Sequence, residues 1–236
     1  EAELSLKKAA EFLSSFESDN AIPFNEYEDI EEELKLMVIE NFRLDNSSFL
    51  KIKSLTEQIS KLQKFYPVYE DLFLHLNNDV KDLEYRKEIV DRIDKVLNRF
   101  GEVKSEASPI LKSLRSDISH ARKAIQENFN RSLTGLTNTD YLDDIRESII
   151  DDQRVLAVKS AYKKRVPGRV LGLSKTGSIT YIQPESVVKH QFKLREDIEE
   201  EKKEVDKILR KLTTEIAEFQ LQLSDYPPYN FDLVLT

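Results

Sequence analysis

Three observations predict a mainly α-helical chain of long antiparallel arms and a helical bundle, with a small antiparallel β insertion. Apolar residues recur at helical spacing through most of the first half. Between Gln153 and Pro184 β-branched and aromatic residues take over. From Glu185 to Tyr226 the chain holds neither Gly nor Pro, and its apolar residues return every seven positions. With 34% charged against 39% hydrophobic residues and five glycines in 236, the balance suits helices with wide solvated faces rather than a compact enzyme.

The elements follow in order. Leu4, Ala9, Phe12 and Leu13 mark a first helix, and Ile30, Leu34, Met37, Val38 and Phe42 a second, with Pro23 and Asn25 between them. Asp45-Asn46-Ser47-Ser48 offers side-chain acceptors to the free amides of a third helix, which carries Phe49, Ile52, Leu55, Ile59 and Leu62. Pro67 lacks an amide donor and should kink or end it. Leu83, Ile89, Val90, Ile93, Val96 and Leu97 mark the next, stopped at Gly101. Ser105 or Ser108 then caps a helix with Pro109 in its first turn and Leu111, Leu114, Ile118 and Ile125 on one face.

After a loop from Gly135 to Asp140, two hairpins are expected. Arg146 to Ile150 and Arg154 to Lys159 flank Asp151-Asp152-Gln153, while Arg169 to Ser174 and Ser178 to Gln183 flank Lys175-Thr176-Gly177. Beyond Pro184, Ile198, Val205, Leu212 and Phe219 form one apolar row, and Leu209, Ile216 and Leu223 another. A helix across this span would be about 60 Å long. Its start, Arg195 to Glu204, is almost wholly charged and is expected in solvent, whereas the second half should pack against the upstream helices.

Charge supplies the functional signal. Arg154, Lys159, Lys163, Lys164, Arg165, Arg169 and Lys175 lie between Gln153 and Pro184, where there is no Asp or Glu; the chain as a whole carries −8, leaving −15 elsewhere. Such polarity lets one region attract a polyanion while the rest repels it, so these seven are the candidate nucleic-acid-binding residues. If Asp143, Asp144, Asp151 and Asp152 fold over them, the positive field collapses.

Catalytic and metal chemistry find little support. His75, His120 and His190 are scattered without a second ligand at helical spacing, and the absence of cysteine excludes disulfides and zinc thiolates. Gly172 and Gly177 stand at phosphate-loop spacing, but Ser178-Ile179 occupies the place of the required Lys and Ser or Thr, and a strand follows instead of a helix. No catalytic residue, metal site or cofactor is therefore assigned within the chain. The opening EAELSLKKAAEF has no secretory pattern and no apolar run approaches about 20 residues, so a cytoplasmic protein with no membrane partner is expected. Glu1 in place of an initiator Met, and an end at Leu233 to Thr236 without a polar tail, lead to the expectation of an excised fragment.

The stretch VLAVKSAYKKRVPGRVLGLSKTGSITYIQPESVV resembles the MutS family of DNA mismatch-repair ATPases, in its second branch, MutS-II, whose members lack the mismatch-reading domains and carry a C-terminal Smr nuclease module. Arg154, Val155, Leu156, Val158, Lys159, Gly168, Ser174, Gly177, Thr180 and Pro184 carry the likeness. Val103 to Ser108 with Leu111, Leu114, Arg115 and Ile118 resembles the family's helical core, and Tyr229 to Thr236 the approach to its ATPase domain. Ala157 stands where the family often has proline, and Lys189-His190-Gln191 replaces an Asn-rich pair.

The resemblance implies a helical core with the first lever arm over 1–140, a β clamp that contacts DNA over 141–186, and a returning lever helix over 187–236. It further implies a full-length parent that is an ATPase using ATP and Mg, a nuclease through its Smr module, and a homodimer acting in DNA repair or recombination control. Three readings stay open at this point. They are a lever and clamp binding duplex or branched DNA, a helical scaffold binding ribosomes or rRNA in stalled-ribosome rescue, and a coiled-coil protein-interaction module.

Overall fold

The computed structural model describes residues 2–17, 21–23 and 28–226 of the chain. Asn25, Pro227 and the stretch Tyr229 to Thr236 lie outside the described residues. Among those described, helices α1 (Ala2–Glu17), α2 (Glu31–Leu36), α3 (Asn46–Phe65), α4 (Leu74–Val80), α5 (Lys87–Val96) and α6 (Pro109–Leu136) precede four strands. These are β1 (Leu142–Ile150), β2 (Gln153–Lys159), β3 (Gly168–Leu173) and β4 (Ile179–Pro184), and α7 (Glu185–Ala217) and α8 (Gln220–Ser224) follow. The fold is mainly α with a small antiparallel β insertion. Two compact units divide it: residues 1–108 with 205–236, and residues 109–204. The sheet alone spans Leu142 to Pro184, so the second unit is larger than the sheet by α6 and the first part of α7.

In the first unit α3 supplies the core, burying Phe49, Ile52, Leu55, Ile59 and Leu62 along one stripe. Asp45 caps it: Oδ1 accepts hydrogen bonds from the Ser48 amide and the Ser47 hydroxyl, both at 2.8 Å. The α-helix ends one residue before Tyr66, and Pro67 sits in the 3₁₀ turn Tyr66–Tyr69 that continues it. An apolar cluster of Phe12, Ile22, Leu62, Tyr66, Phe73, Leu76 and Val80 ties α1 to α3 and α4. Glu11 of α1 accepts from the amides of His75 and Leu76 at 2.9 to 3.1 Å, satisfying free donors at the start of α4.

Several elements depart from the sequence reading. The second helix is only six residues long; Ile30 and Met37 are buried around it, but Val38 is exposed and Asn41 turns with φ 60°. Gly101 does not end α5, which stops at Val96. Instead it turns a short loop, with φ 79°, that lets Leu97 bridge Val103. The helix after Pro184 is likewise interrupted. Arg92 Nη1 donates to the Glu215 carbonyl at 2.7 Å, and the Phe219 amide bonds Ile216 instead, so α7 stops at Ala217. At about 1.5 Å per residue, α7 is about 50 Å long, not about 60 Å. Its Leu209, Leu212 and Ile216 are buried, and Thr213 Oγ1 accepts from the Leu44 amide at 3.0 Å, so the apolar second half packs within the chain.

In the second unit the charged start of α7 is not wholly in solvent. Arg115 of α6 donates to Glu201 at 2.7 Å, and Asp197 is buried with Oδ1 2.7 Å from Lys193 Nζ. The strands pair throughout as antiparallel neighbours in the order β1-β2-β4-β3, so the two hairpins are joined through β2 and β4. Leu142, Leu156, Val158 and Ile182 of the sheet pack with Phe129 of α6 and Val187 of α7. Four consecutive residues of β2, Val155 to Val158, are buried, which requires both faces to be covered. Ile150 of β1 supplies part of the second cover. It reaches within 3.4 Å of the place a Cβ on Gly172 of β3 would take, although β2 and β4 lie between those strands. The sheet is therefore strongly coiled.

Candidate nucleic-acid interface

The first hairpin turns on two residues alone, since Ile150 pairs with Gln153 while Asp151 (φ 47°) and Asp152 (φ 60°) occupy the left-handed region. Aspartate tolerates that region because its short side chain can bond locally. The second hairpin closes at Gly177 (φ 70°), where the amide donates to the Ser174 carbonyl at 2.9 Å. Gly172 and Gly177 thus belong to a strand and its tight turn. Ser178 stands directly after Gly177, and strand β4 follows rather than a helix. Among the described residues, no three His, Cys, Asp or Glu side chains gather as a metal site, and no helix is long and apolar enough to cross a membrane.

Between the hairpins the 3₁₀ segment Ser160–Arg165 is pinned at both ends. Ser160 donates its amide to the Ser178 carbonyl at 2.8 Å and its hydroxyl to the Gly177 carbonyl at 2.7 Å, fastening the segment to the β3–β4 turn. Tyr162 stacks obliquely on Tyr141 with 5.0 Å between ring centroids. Val166 is buried in the sheet core, and the Glu185 amide donates to the Pro167 carbonyl at 3.2 Å. Lys163, Lys164 and Arg165 are consequently exposed on a held platform, tied to the turn that carries exposed Lys175. Arg169 is exposed on edge strand β3, opposite Gln183.

The remaining two candidates are engaged internally. Arg154 Nη2 lies 2.5 Å from Glu147, Nη1 donates to Asn130 at 3.1 Å, and the guanidinium sits 4.2 Å over the Phe129 ring. Lys159 Nζ is 2.6 Å from Asp140, whose carboxyl that hydrogen bond holds below its ordinary range, while Lys159 is raised by the same bond. Asp143, Asp144, Asp151 and Asp152 form no ion pair with Lys163, Lys164, Arg165, Arg169 or Lys175 among the described residues. The seven candidates therefore split into five open cations and two structural ones. Sequence counting could not separate them, because Asp140 and Glu147 lie outside the acid-free stretch and reach it only through strand pairing.

No family model matches the chain. Over 221 residues, 90% of its length, the chain is 26% identical to Endonuclease MutS2 of Alkaliphilus oremlandii. Against the proteins of that name from Ligilactobacillus salivarius and Carboxydothermus hydrogenoformans it is 29% identical over 201 residues and 32% identical over 162, which are 80% and 68% of the chain. The chain is a MutS-family sequence of the MutS2-like kind. It spans about a quarter of the length of these relatives, 27%, 25% and 21% respectively. Of the residues quoted for the likeness to MutS, Arg154, Val155, Leu156, Val158, Lys159, Gly168, Thr180 and Pro184 lie on strands, Ser174 and Gly177 in the β3–β4 turn, and Leu111, Leu114, Arg115 and Ile118 on α6. Val155, Leu156 and Val158 are buried in β2, and Gly168 is a forced small residue, since a Cβ there would run into the Gln183 carbonyl and come within 2.7 Å of Ile182 Cγ2.

Proposed function

We propose that this MutS2-like chain is the helical core, lever and clamp region of an ATPase acting on DNA in repair or recombination control, and that its β module grips nucleic-acid backbone. The observation that carries the reading is the pinned segment Ser160–Arg165. It holds Lys163, Lys164 and Arg165 exposed and without an ion pair among the described residues, on a segment fastened to the turn that carries Lys175, in a chain whose net charge is −8. Each lysine or arginine that neutralises a phosphate releases a counterion, so these residues supply affinity without base readout. ATP and Mg²⁺ chemistry, and nuclease chemistry, belong in this reading to other parts of the homodimeric parent protein.

The test is a titration of fluorescent duplex DNA at two salt concentrations. With four or five phosphate contacts, affinity should fall about 150- to 500-fold between 50 and 200 mM salt. Lys163→Glu, Lys164→Glu and Arg165→Glu together should abolish most of the binding and flatten that dependence. Binding unchanged by the triple substitution, or none at low salt, overturns the proposal. Preferential displacement of duplex DNA by ribosomes would favour rRNA as the target of the same cations.

A further inference from the structure

A second cluster lies where α7 meets the sheet. Arg169 of β3 and Arg195 of α7 line one shallow cleft together with Gln153, Gln183, Gln191 and Phe192. No carboxylate lines it. Glu199, one helical turn beyond Arg195, is engaged by Lys202 at 2.8 Å. Both arginines are exposed and neither forms an ion pair among the described residues. Two like charges directed to one cleft without a counter-charge repel each other unless an anion arrives between them, and the planar guanidinium fork suits phosphate oxygens.

The uncharged members of the cluster add a different chemistry. Phe192 leaves 51% of its surface in water, an unusual exposure for an aromatic ring on a helix that buries other apolar residues. Gln183 is buried and donates its amide Nε2 to Gln153 Oε1 at 2.9 Å, which fixes both side chains. The Gln153 amide nitrogen, opposite that bond, is left as a donor at the cleft. The free space within the cleft is about 10 Å³, enough for a single water and far too little to swallow a base. A base can therefore only lie across the rim.

We infer that this cleft is a subsite for unstacked nucleotides of single-stranded or branched nucleic acid. Arg169 and Arg195 straddle a backbone phosphate, the adjacent base stacks on the open face of Phe192, and the Gln153 amide meets its edge. A fully paired duplex could satisfy the arginines but would leave the ring and the Gln153 amide without partners, because its bases are already stacked and paired. Stacking on an aromatic ring is indifferent to base identity, so the subsite reads strandedness rather than sequence. The inference rests on the nucleic-acid-binding reading above and extends it from the β module to α7.

The experiment compares three labelled DNAs, a duplex, a forked duplex with one single-stranded arm and an unpaired oligonucleotide, against the 236-residue chain and its Phe192→Ala and Arg195→Ala variants. The wild-type chain should prefer the fork to the duplex. Phe192→Ala should weaken fork and single-strand binding about five- to ten-fold while changing duplex affinity less than two-fold, whereas Arg195→Ala should weaken binding of all three. Phe192 is half exposed, so its truncation leaves the fold intact, as a circular-dichroism melt would verify. Equal affinity for fork and duplex, unmoved by Phe192→Ala, overturns this inference and leaves backbone binding by the pinned segment standing. Loss of all DNA binding in the wild-type chain overturns both. Displacement of the fork by a polyglutamate peptide, with Phe192→Ala silent, would assign the arginines to an acidic protein segment instead and also sink the inference.

Discussion

Lys159 and Asp140 form an ion pair at 2.6 Å across the start of the β module, closing one cation of the basic stretch to outside anions. The bond lowers the Asp140 carboxyl and raises Lys159, so the pair is complete throughout the neutral range. The lowered group sets the acid limit, where the pair opens as pH falls through the depressed Asp140 value. The raised group sets the alkaline limit, where Lys159 loses its proton only above its ordinary range. Removing the partner should therefore release a binding charge. Asp140→Asn is expected to strengthen duplex binding two- to five-fold and to steepen the salt dependence by about 0.9 in log–log slope, one further counterion. Anisotropy titrations at two salt concentrations read both quantities, and an unchanged slope would show that Lys159 stays out of reach of phosphate.

Arg154 should behave in the opposite sense. Its guanidinium is held by Glu147, by Asn130 and by the Phe129 ring, which is itself buried in the sheet core. Arg154→Ala is expected to cost about 1–2 kcal/mol of stability, from lost stacking and a partly shielded ion pair. Arg154→Lys should recover less than half of that, because an ammonium cannot serve a fork and a ring face at once. Duplex affinity should fall far less than in the triple variant of the pinned segment. Thermal melts and anisotropy on the same two variants decide it, and a large affinity loss without a change in melting temperature would return Arg154 to the interface.

The difference between these two cations and the other five marks what a sequence can convey. Periodicity placed α3, α6, both hairpins and most of α7, because amphipathic spacing and turn chemistry are local properties. The cap at Asp45 and the turn at Gly177 were legible for the same reason. What could not be read depended on partners far along the chain. The break after Ala217 comes from Arg92, and the closure of Lys159 and Arg154 comes from residues brought in by strand register. Arg195 and Phe192 escaped notice in a run of helical charge, since only the folded edge of the sheet sets them beside Arg169.

Two glycines of the second unit should respond oppositely to the same substitution. At Gly168 a Cβ would collide with the Gln183 backbone carbonyl and stand 2.7 Å from Ile182 Cγ2, in the register where β3 pairs with β4. Gly168→Ala is expected to destabilise the chain by about 2 kcal/mol or more and to loosen β3, because backbone cannot yield as a flexible side chain can. At Gly135 nothing lies within 4 Å of the added carbon, and the residue is in the last turn of α6. Gly135→Ala should stabilise by about 0.5–1 kcal/mol through the unfolded chain's lost freedom. Denaturant melts of both variants test the pair, and equal effects would refute the strand register assigned to β3.

The cap of α3 supplies a pH signature in the first unit. Asp45 accepts from the Ser48 amide and then from the Ser47 hydroxyl, and these bonds hold its carboxyl below the ordinary value of free aspartate. A carboxyl depressed in the folded state contributes stability that is complete above its unfolded value, about 3.9. That contribution disappears as pH falls through the folded value, when protonation removes the acceptor charge. Asp45→Ala should cost about 1 kcal/mol at neutral pH. The penalty should shrink toward zero in strong acid, where the wild-type cap is itself protonated. Asp45→Asn, which keeps an acceptor without the charge, should retain most of the neutral-pH stability and lose this pH dependence. Chemical denaturation of the three chains from pH 7 to pH 1.5 measures the difference directly, and a penalty for Asp45→Ala that stays constant down to strong acid would mean the cap acts through shape rather than charge.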